Sequence, residues 1–128
     1  CTGDEAKQAL NGVFDRFGYV MDTHTAVAQC VTEKLHKDGA PAIVLSTASP
    51  YKFPQSVLSA IRPGEEHKDA FEAANALAKV QAAACGKEAK DCLPAQIAEL
   101  SVLPVRHDAV CEKDNMEQAL FDAVKRWN

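Results

Sequence analysis

Long apolar runs and clustered basic residues are both missing from this sequence. No apolar stretch approaches the ~20 residues that a membrane-spanning helix needs, and no charged segment followed by an apolar one opens the chain as in a secretory signal. The formal net charge is −4 and the pI is about 5.5, whereas nucleic acids and anionic membranes attract surfaces rich in Lys and Arg. We therefore expect a cytoplasmic protein that binds neither a membrane nor a nucleic acid.

The cysteines follow no metal-binding or redox motif. They are Cys1, Cys30, Cys85, Cys92 and Cys111. There is no C-x-x-C pair and no Cys/His pair at zinc spacing, and His24 and Cys30 fall on different faces of a helix. We expect reduced thiols and no metal, while the sequence leaves open whether any two cysteines form a disulfide.

The common catalytic signatures are absent as well. The chain has no G-x-G-x-x-G, no phosphate-binding P-loop, no G-x-S-x-G and no paired-histidine motif. Its 128 residues, 47% of them hydrophobic, make one domain or a part of one. Because the first residue is Cys1 and not methionine, we expect a fragment of a longer protein.

Apolar spacing predicts a helix-rich chain with a few short strands. Helices are expected at 4–17, 22–38, 53–61, 65–85, 94–100 and from 114 onward. The first should be capped by Asp4 and stopped by Gly18, and the last should turn Met116, Leu120, Ala123 and Val124 inward. Residues 42–45 read A-I-V-L, without the polar alternation of a half-exposed strand, which is typical of a strand buried in a parallel sheet. Residues 19–21 and 102–111 are weaker strand candidates. The predicted class is α/β, with two or three short parallel strands that complete a sheet supplied elsewhere.

A cluster of hydroxyl side chains directly follows the main predicted strand. Ser46, Thr47 and Ser49 would lie beyond its carboxyl end, where open α/β sheets bind ligands. A hydroxyl can donate to a ring nitrogen or accept from an N–H group, so it suits a heterocyclic ligand. The alternative, that Ser49 only caps the turn at Pro50, is equally open.

Two other polar residues have a structural and a functional interpretation. His24 follows Asp22, a typical helix N-cap, and either lines the same cleft as Thr47 or is merely solvated in the first helical turn. Lys52 either contacts an anionic group of a substrate or is an ordinary loop lysine, which is the commoner case.

Two segments resemble threonine synthases. G-Y-V-M-D-T-H-T-A-V-A at 18–28 is similar to the family's G-x-x-x-D-P-H-T-A, and I-V-L-S-T-A-S-P-Y-K-F-P at 43–54 is similar to its strand ending in T-A-x-P-x-K-F. L-P-V-R-H-D-A-V-C-E-K-D-N-M at 103–116 is typical of the C-terminal part of bacterial members. The resemblance covers most of the chain and identifies it as the C-terminal portion of a longer enzyme.

This resemblance implies a pyridoxal-phosphate enzyme with a tryptophan-synthase-β-like fold (fold type II). Such an enzyme converts O-phosphohomoserine and water to threonine and phosphate in threonine biosynthesis. The Schiff-base lysine would lie upstream, so these residues would include no catalytic residue, and the fragment alone would be inactive and without cofactor. Residues 1–128 would form one segment, with a cofactor-side βα part at 1–62 and a helical extension at 63–128.

Site residues follow from the matched positions. Thr47 matches the family threonine that hydrogen-bonds the pyridine nitrogen, where a neutral hydroxyl leaves that nitrogen largely unprotonated and moderates the electron sink. His24, Ser49 and Lys52 are candidates for the substrate side. The family's proline is Thr23 here, and the histidine of its T-A-H-P motif is Ser49, so a role that needs an imidazole there is not carried over.

The competing hypothesis is an autonomous, non-catalytic α/β module that binds a small ligand or a protein through the alanine-rich helix at 65–85. Such a module would have a closed core without a long exposed apolar patch. A fragment would instead expose the stripe of Val27, Val31 and Leu45, or cover it with a second copy as a homodimer.

Overall fold

The computed structural model describes residues 1–106 and 108–126. Within these ranges the chain forms seven α-helices, named in chain order, and two 3₁₀ turns. The helices are α1 (Gly3–Phe17), α2 (Thr23–Leu35), α3 (Pro54–Ile61), α4 (Ala70–Cys85), α5 (Ala89–Cys92), α6 (Ala95–Leu100) and α7 (Met116–Lys125), and the turns are Pro50–Lys52 and Lys113–Asn115.

Helix α1 is closed at both ends by local hydrogen bonds. The Thr2 hydroxyl accepts from the Glu5 amide at 3.3 Å, and the Glu5 carboxylate accepts from the Thr2 amide at 2.7 Å. This capping box starts the helix at Gly3, so the prediction of Asp4 as the cap is wrong. Gly18 ends the helix with φ 64° as predicted, and a Cβ there would lie 3.3 Å from the Ala84 Cβ on α4.

The core lies where α1 packs against α2 and α3, and α3 packs against α4. Leu10, Leu58 and Leu77 are fully buried at its centre. Helix α4 presents mostly alanines to it, and small side chains allow the helices to approach closely. The N-terminus of α2 lies beside Ser46 in the segment that joins α2 to α3.

The predicted α/β class is wrong, because the described residues contain helices and turns but no strand. The apolar residues 42–45 belong to an irregular stretch, and no backbone hydrogen bond ties residues 41–48 to any other described part of the chain. A strand exists only when its N–H and C=O groups pair with a neighbour. Ile43 and Leu45 are instead 89% and 75% exposed.

Residues 19–21 and the described part of 102–111 form no strand either. Val20 and Met21 of the first segment are buried against the helices, so their apolar character serves the core. Helix α7 was expected to turn Met116, Leu120 and Val124 inward, but all three are exposed. None of the described helices combines the length and apolar character that crossing a bilayer requires.

Candidate functional site

Asp22 is the buried centre of the candidate site. Its carboxylate accepts the His24 amide at 2.8 Å and the Thr25 amide at 3.2 Å, which caps α2 as predicted. The Thr25 hydroxyl donates a further short hydrogen bond to the same carboxylate. Burial by itself would raise the pKa of Asp22, but the hydrogen bonds from Thr25 and His24 outweigh burial and hold the pKa below its ordinary value. The group therefore stays ionised at neutral pH.

Ser46 connects this cap to the hydroxyl segment, by which we mean residues 46–49. Its Oγ lies 3.5 Å from Asp22 Oδ2 and 3.3 Å from Thr25 Oγ1. Because the Thr25 proton goes to the carboxylate, the Ser46 hydroxyl is free to donate to either oxygen. The start of the segment is thus held against the N-terminus of α2.

Ser49 holds the other end of the hydroxyl segment. Its hydroxyl accepts the Tyr51 amide at 3.3 Å and caps the turn at Pro50–Lys52, the local role that sequence reasoning left open. Tyr51 is buried, and its hydroxyl donates to Gln81 Oε1 on α4 at 2.8 Å. Burial raises the pKa of Tyr51 to about 12, and the adjacent thiols of Cys92 and Cys85 contribute to the same rise.

Thr47 lies between these two anchors and is exposed. Its hydroxyl forms no hydrogen bond with any residue that the structure describes. The neighbours Ser46 and Ser49 are therefore committed to the protein, whereas Thr47 keeps both its donor and its acceptor for another molecule. The exposure of Thr47 is compatible with a binding role, and that role stays a prediction.

His24 and Lys52 share one aromatic neighbour. The His24 ring lies 5.6 Å from the Phe53 ring between centroids, and Lys52 Nζ lies 5.7 Å from the same centroid. His24 Nδ1 is also 3.3 Å from Asp22 Oδ1, which orients the imidazole. The structure thus groups His24, Lys52 and the Asp22 cap, while it records no contact between His24 and Thr47.

His24 also borders a cleft of about 380 Å³ between the N-terminal halves of α1 and α2. Leu10, Ala26 and Val27 give the cleft an apolar wall, and Ser56 on α3 adds a hydroxyl. Thr47 is not among the residues that line this cleft, and the hypothesis that His24 and Thr47 line one cleft stays a prediction.

Sequence reasoning missed two residues that hold the site together. Asp22 was recognised as a cap, but its contact with Ser46 was not, and Tyr51 was not considered. The available signal was weak: Tyr51 directly follows Ser49 and Pro50, and a tyrosine that becomes buried needs a partner for its hydroxyl.

One group of possible metal ligands occurs among the described residues. Cys1, Glu5 and Cys30 can each bring one ligand atom within 4.8 Å of the others. However, Glu5 Oε1 already bonds Lys34 Nζ at 2.6 Å, and this hydrogen bond, together with that from the Thr2 amide, lowers the pKa of Glu5 to about 2. Two thiols without further ligands fall short of the four that a structural zinc site uses.

A family model and the curated relatives that match this chain all carry the name threonine synthase. The family model "Threonine synthase, C-terminal" matches residues 25–120. The chain is 34% identical over 62 residues to human threonine synthase-like 1, which is 48% of this chain and 8% of that protein. The same comparison with the Macaca fascicularis protein gives 36% identity over 62 residues.

A bacterial relative matches as well. Threonine synthase of Methylobacillus glycogenes is 31% identical over 70 residues, 55% of this chain and 15% of that protein. The chain thus spans only a small part of the curated relatives that it matches. No solved structure matches it.

Proposed function

This chain belongs to the threonine synthase C-terminal family, and from that premise we propose that it forms the C-terminal part of a pyridoxal-phosphate-dependent threonine synthase. The whole enzyme would convert O-phosphohomoserine and water to threonine and phosphate in the cytoplasm. The observation that carries the proposal is the family match, because residues 25–120 include most of α2 and the whole hydroxyl segment, with the Asp22 cap three residues before them.

The residues present fit the cofactor in one testable respect. Thr47 offers a neutral hydroxyl that no described residue uses, whereas Ser46 before it and Ser49 two positions after it contact the protein. When bound, pyridoxal phosphate supplies an electron sink for the substrate's α-carbon. A hydroxyl at the ring nitrogen can form a hydrogen bond without bringing a charge, so it positions the ring and leaves the nitrogen largely unprotonated.

The remaining residues would act around Thr47. The Asp22 carboxylate and Thr25 hydroxyl hold Ser46, and the Tyr51 amide holds Ser49, so Thr47 is fixed from both sides. His24 and Lys52, the substrate-side candidates, would offer an imidazole and an ammonium group to the phosphate of O-phosphohomoserine. The Schiff-base lysine would come from the upstream part of the enzyme.

An exposed apolar stripe supports a place in a larger protein. Val27 and Val31 on α2 are 43% and 36% exposed, and Leu45 in the irregular stretch is 75% exposed. These exposed apolar side chains favour an interface with another part of a larger protein, because large exposed apolar patches usually mark interfaces. We propose that the rest of the enzyme covers this stripe, and a homodimer of the chain is the alternative cover.

Two measurements on longer and shorter chains test this proposal. The isolated chain mixed with pyridoxal phosphate should show no bound-cofactor absorbance, whereas a chain extended upstream to the Schiff-base lysine should show it. The extended enzyme should release phosphate and threonine from O-phosphohomoserine. An extended enzyme that binds the cofactor but gives neither product would refute the proposed reaction.

Thr47 has its own test in the extended enzyme. Thr47→Val should lower turnover about tenfold or more, because a hydrogen bond to the cofactor is worth about 1.5 kcal/mol. Thr47→Ser keeps the hydroxyl and should remain within a few fold of the parent. Equal turnover of the parent and Thr47→Val, with the fold retained by circular dichroism, would remove Thr47 from the site.

A further inference from the structure

The thiols of Cys85 and Cys92 lie next to each other at the ends of two packed helices. Cys85 is the last residue of α4 and Cys92 the last of α5, and their Sγ atoms are 3.9 Å apart. Gly86, with φ 67°, reverses the chain between them. From this geometry we propose that Cys85 and Cys92 form a redox-active dithiol that closes to an intramolecular disulfide by exchange with a low-molecular-weight disulfide such as oxidised glutathione.

The local structure allows this closure. A disulfide needs its sulfurs about 2.05 Å apart, so the two must approach by roughly 2 Å. Helix α5 has only four residues, none of them buried, and no side chain caps its N-terminus. Helix α5 packs against α4 with Ala89 and Cys92 only partly buried at the edge of the core, so a shift of α5 moves these edge side chains and none of the fully buried ones.

The difference in exposure between the thiols sets the order of steps. Cys85 is exposed, so its thiolate attacks the small disulfide, forms a mixed disulfide and expels one thiolate. Cys92, which is half-buried, then loses its proton to solvent and attacks the Cys85 sulfur, and the second small thiolate leaves. Two protein thiols are oxidised to one disulfide, and one small disulfide is reduced to two thiols.

The surroundings of Cys92 agree with its role as the second, resolving thiol. Burial raises the pKa of the Cys92 thiol, and the hydrogen-bonding contact with Cys85 raises it further. A thiol that is mostly protonated at neutral pH reacts slowly with an external disulfide. Held 3.9 Å from the mixed disulfide, it needs no high intrinsic reactivity, because the attack is intramolecular.

The dithiol lies beside a residue that anchors the hydroxyl segment. Tyr51 contacts Gln81, one turn before Cys85 on α4, and the two thiols contribute to the high pKa of Tyr51. Oxidation would therefore change the environment of the tyrosine whose amide holds Ser49. The disulfide itself does not depend on the proposed threonine synthase activity, and its test needs no cofactor.

The test uses the full chain in a glutathione redox buffer. After acid quenching and alkylation of free thiols, trypsin should release residues 80–87 and 91–106 as one disulfide-linked pair that separates on reduction. Neither Cys85→Ser nor Cys92→Ser can form that pair, so the two variants report the mixed disulfide instead. Cys92→Ser should accumulate glutathione on Cys85 at least about tenfold more than Cys85→Ser accumulates it on Cys92, and equal amounts would refute the assigned order.

The matched control is Cys111→Ser, which removes an exposed cysteine and leaves the pair intact. It should give the linked peptides at the parent's yield. Mixed glutathione disulfides alone, or linked peptides that join Cys85 or Cys92 to other cysteines just as often, would overturn the proposal. Circular dichroism of each serine variant verifies that the chains compared are folded.

Discussion

The most direct test of the Asp22 network is its truncation to alanine. Asp22→Ala removes the acceptor for two amides of α2, which costs about 1 kcal/mol as for other N-caps. It also leaves the buried Thr25 hydroxyl without its carboxylate, which costs about 1–3 kcal/mol. We expect the free energy of unfolding of the full chain to fall by about 2–4 kcal/mol.

Asp22→Asn is the matched control, because it keeps the side-chain shape and one capping oxygen but loses the charge. The charge at the helix N-terminus is worth about 0.3–1 kcal/mol, so this variant should cost much less than alanine. Urea unfolding followed by circular dichroism gives both values, and equal m-values would show that only stability changed.

The parent and Asp22→Asn should also differ in how their free energy of unfolding depends on pH. Because the pKa of Asp22 is lowered in the folded chain, the charged carboxylate stabilises the fold fully above its ordinary pKa of 3.8. That stabilisation is lost as the pH falls through the lower folded value. The difference in unfolding free energy between parent and Asp22→Asn should therefore be constant near neutral pH and shrink in acid.

Two results would refute this reasoning. One is an Asp22→Ala variant within about 0.5 kcal/mol of the parent, the range of an ordinary surface substitution. The other is an Asp22→Asn variant as unstable as the alanine variant at neutral pH, which would mean that the capping oxygen contributes nothing.

Two further substitutions test the packing around the site by urea unfolding of the full chain. Leu77→Ala empties a fully buried position and should cost about 2–5 kcal/mol, whereas Leu100→Ala on the surface should change little; equal costs would contradict the assigned core. Gly18→Ala should cost about 1–2 kcal/mol for its left-handed backbone, plus the tight contact with Ala84. Gly86→Ala has a similar φ but open space, so a Gly18 variant no worse than it would disprove that contact.

Helix ends were predictable where one local side chain sets them. Asp22 as the cap of α2 and Gly18 as the end of α1 are both confirmed, because each acts on residues only a few positions away. Helix α4 begins at Ala70 and not at 65, since the Asp69 carboxylate accepts the amides of Phe71 and Glu72 and starts the helix there. A run of earlier acidic residues concealed that cap in the sequence.

The strand at 42–45 could not be judged from its own residues. Its A-I-V-L pattern indicates a buried environment, but whether a strand forms depends on a partner that supplies N–H and C=O groups. No such partner lies among the described residues, so the pattern gave the wrong class. Helix α5 was not predicted, because four residues are too few to show the apolar spacing of a helix.

In the candidate site, too, sequence reasoning found the residues that belong to local motifs and missed the contacts between distant residues. Thr47, Ser49 and Lys52 came from short local motifs, and their binding roles remain predictions. The two contacts that position them join Asp22 to Ser46 and Tyr51 to Gln81, residues 24 and 30 positions apart. Such contacts depend on how the helices pack, which a single sequence does not specify.

The unpaired stretch at 41–48 has a practical consequence for anyone handling this chain alone. The backbone N–H and C=O groups of this stretch form no hydrogen bond with the backbone of the described residues, and the side chains of Ile43 and Leu45 are exposed. Both features are typical of an unprotected sheet edge, which pairs readily with a strand of another molecule. We expect concentrated stocks of the isolated chain to aggregate through this stretch. Dilute solutions should keep the chain monodisperse.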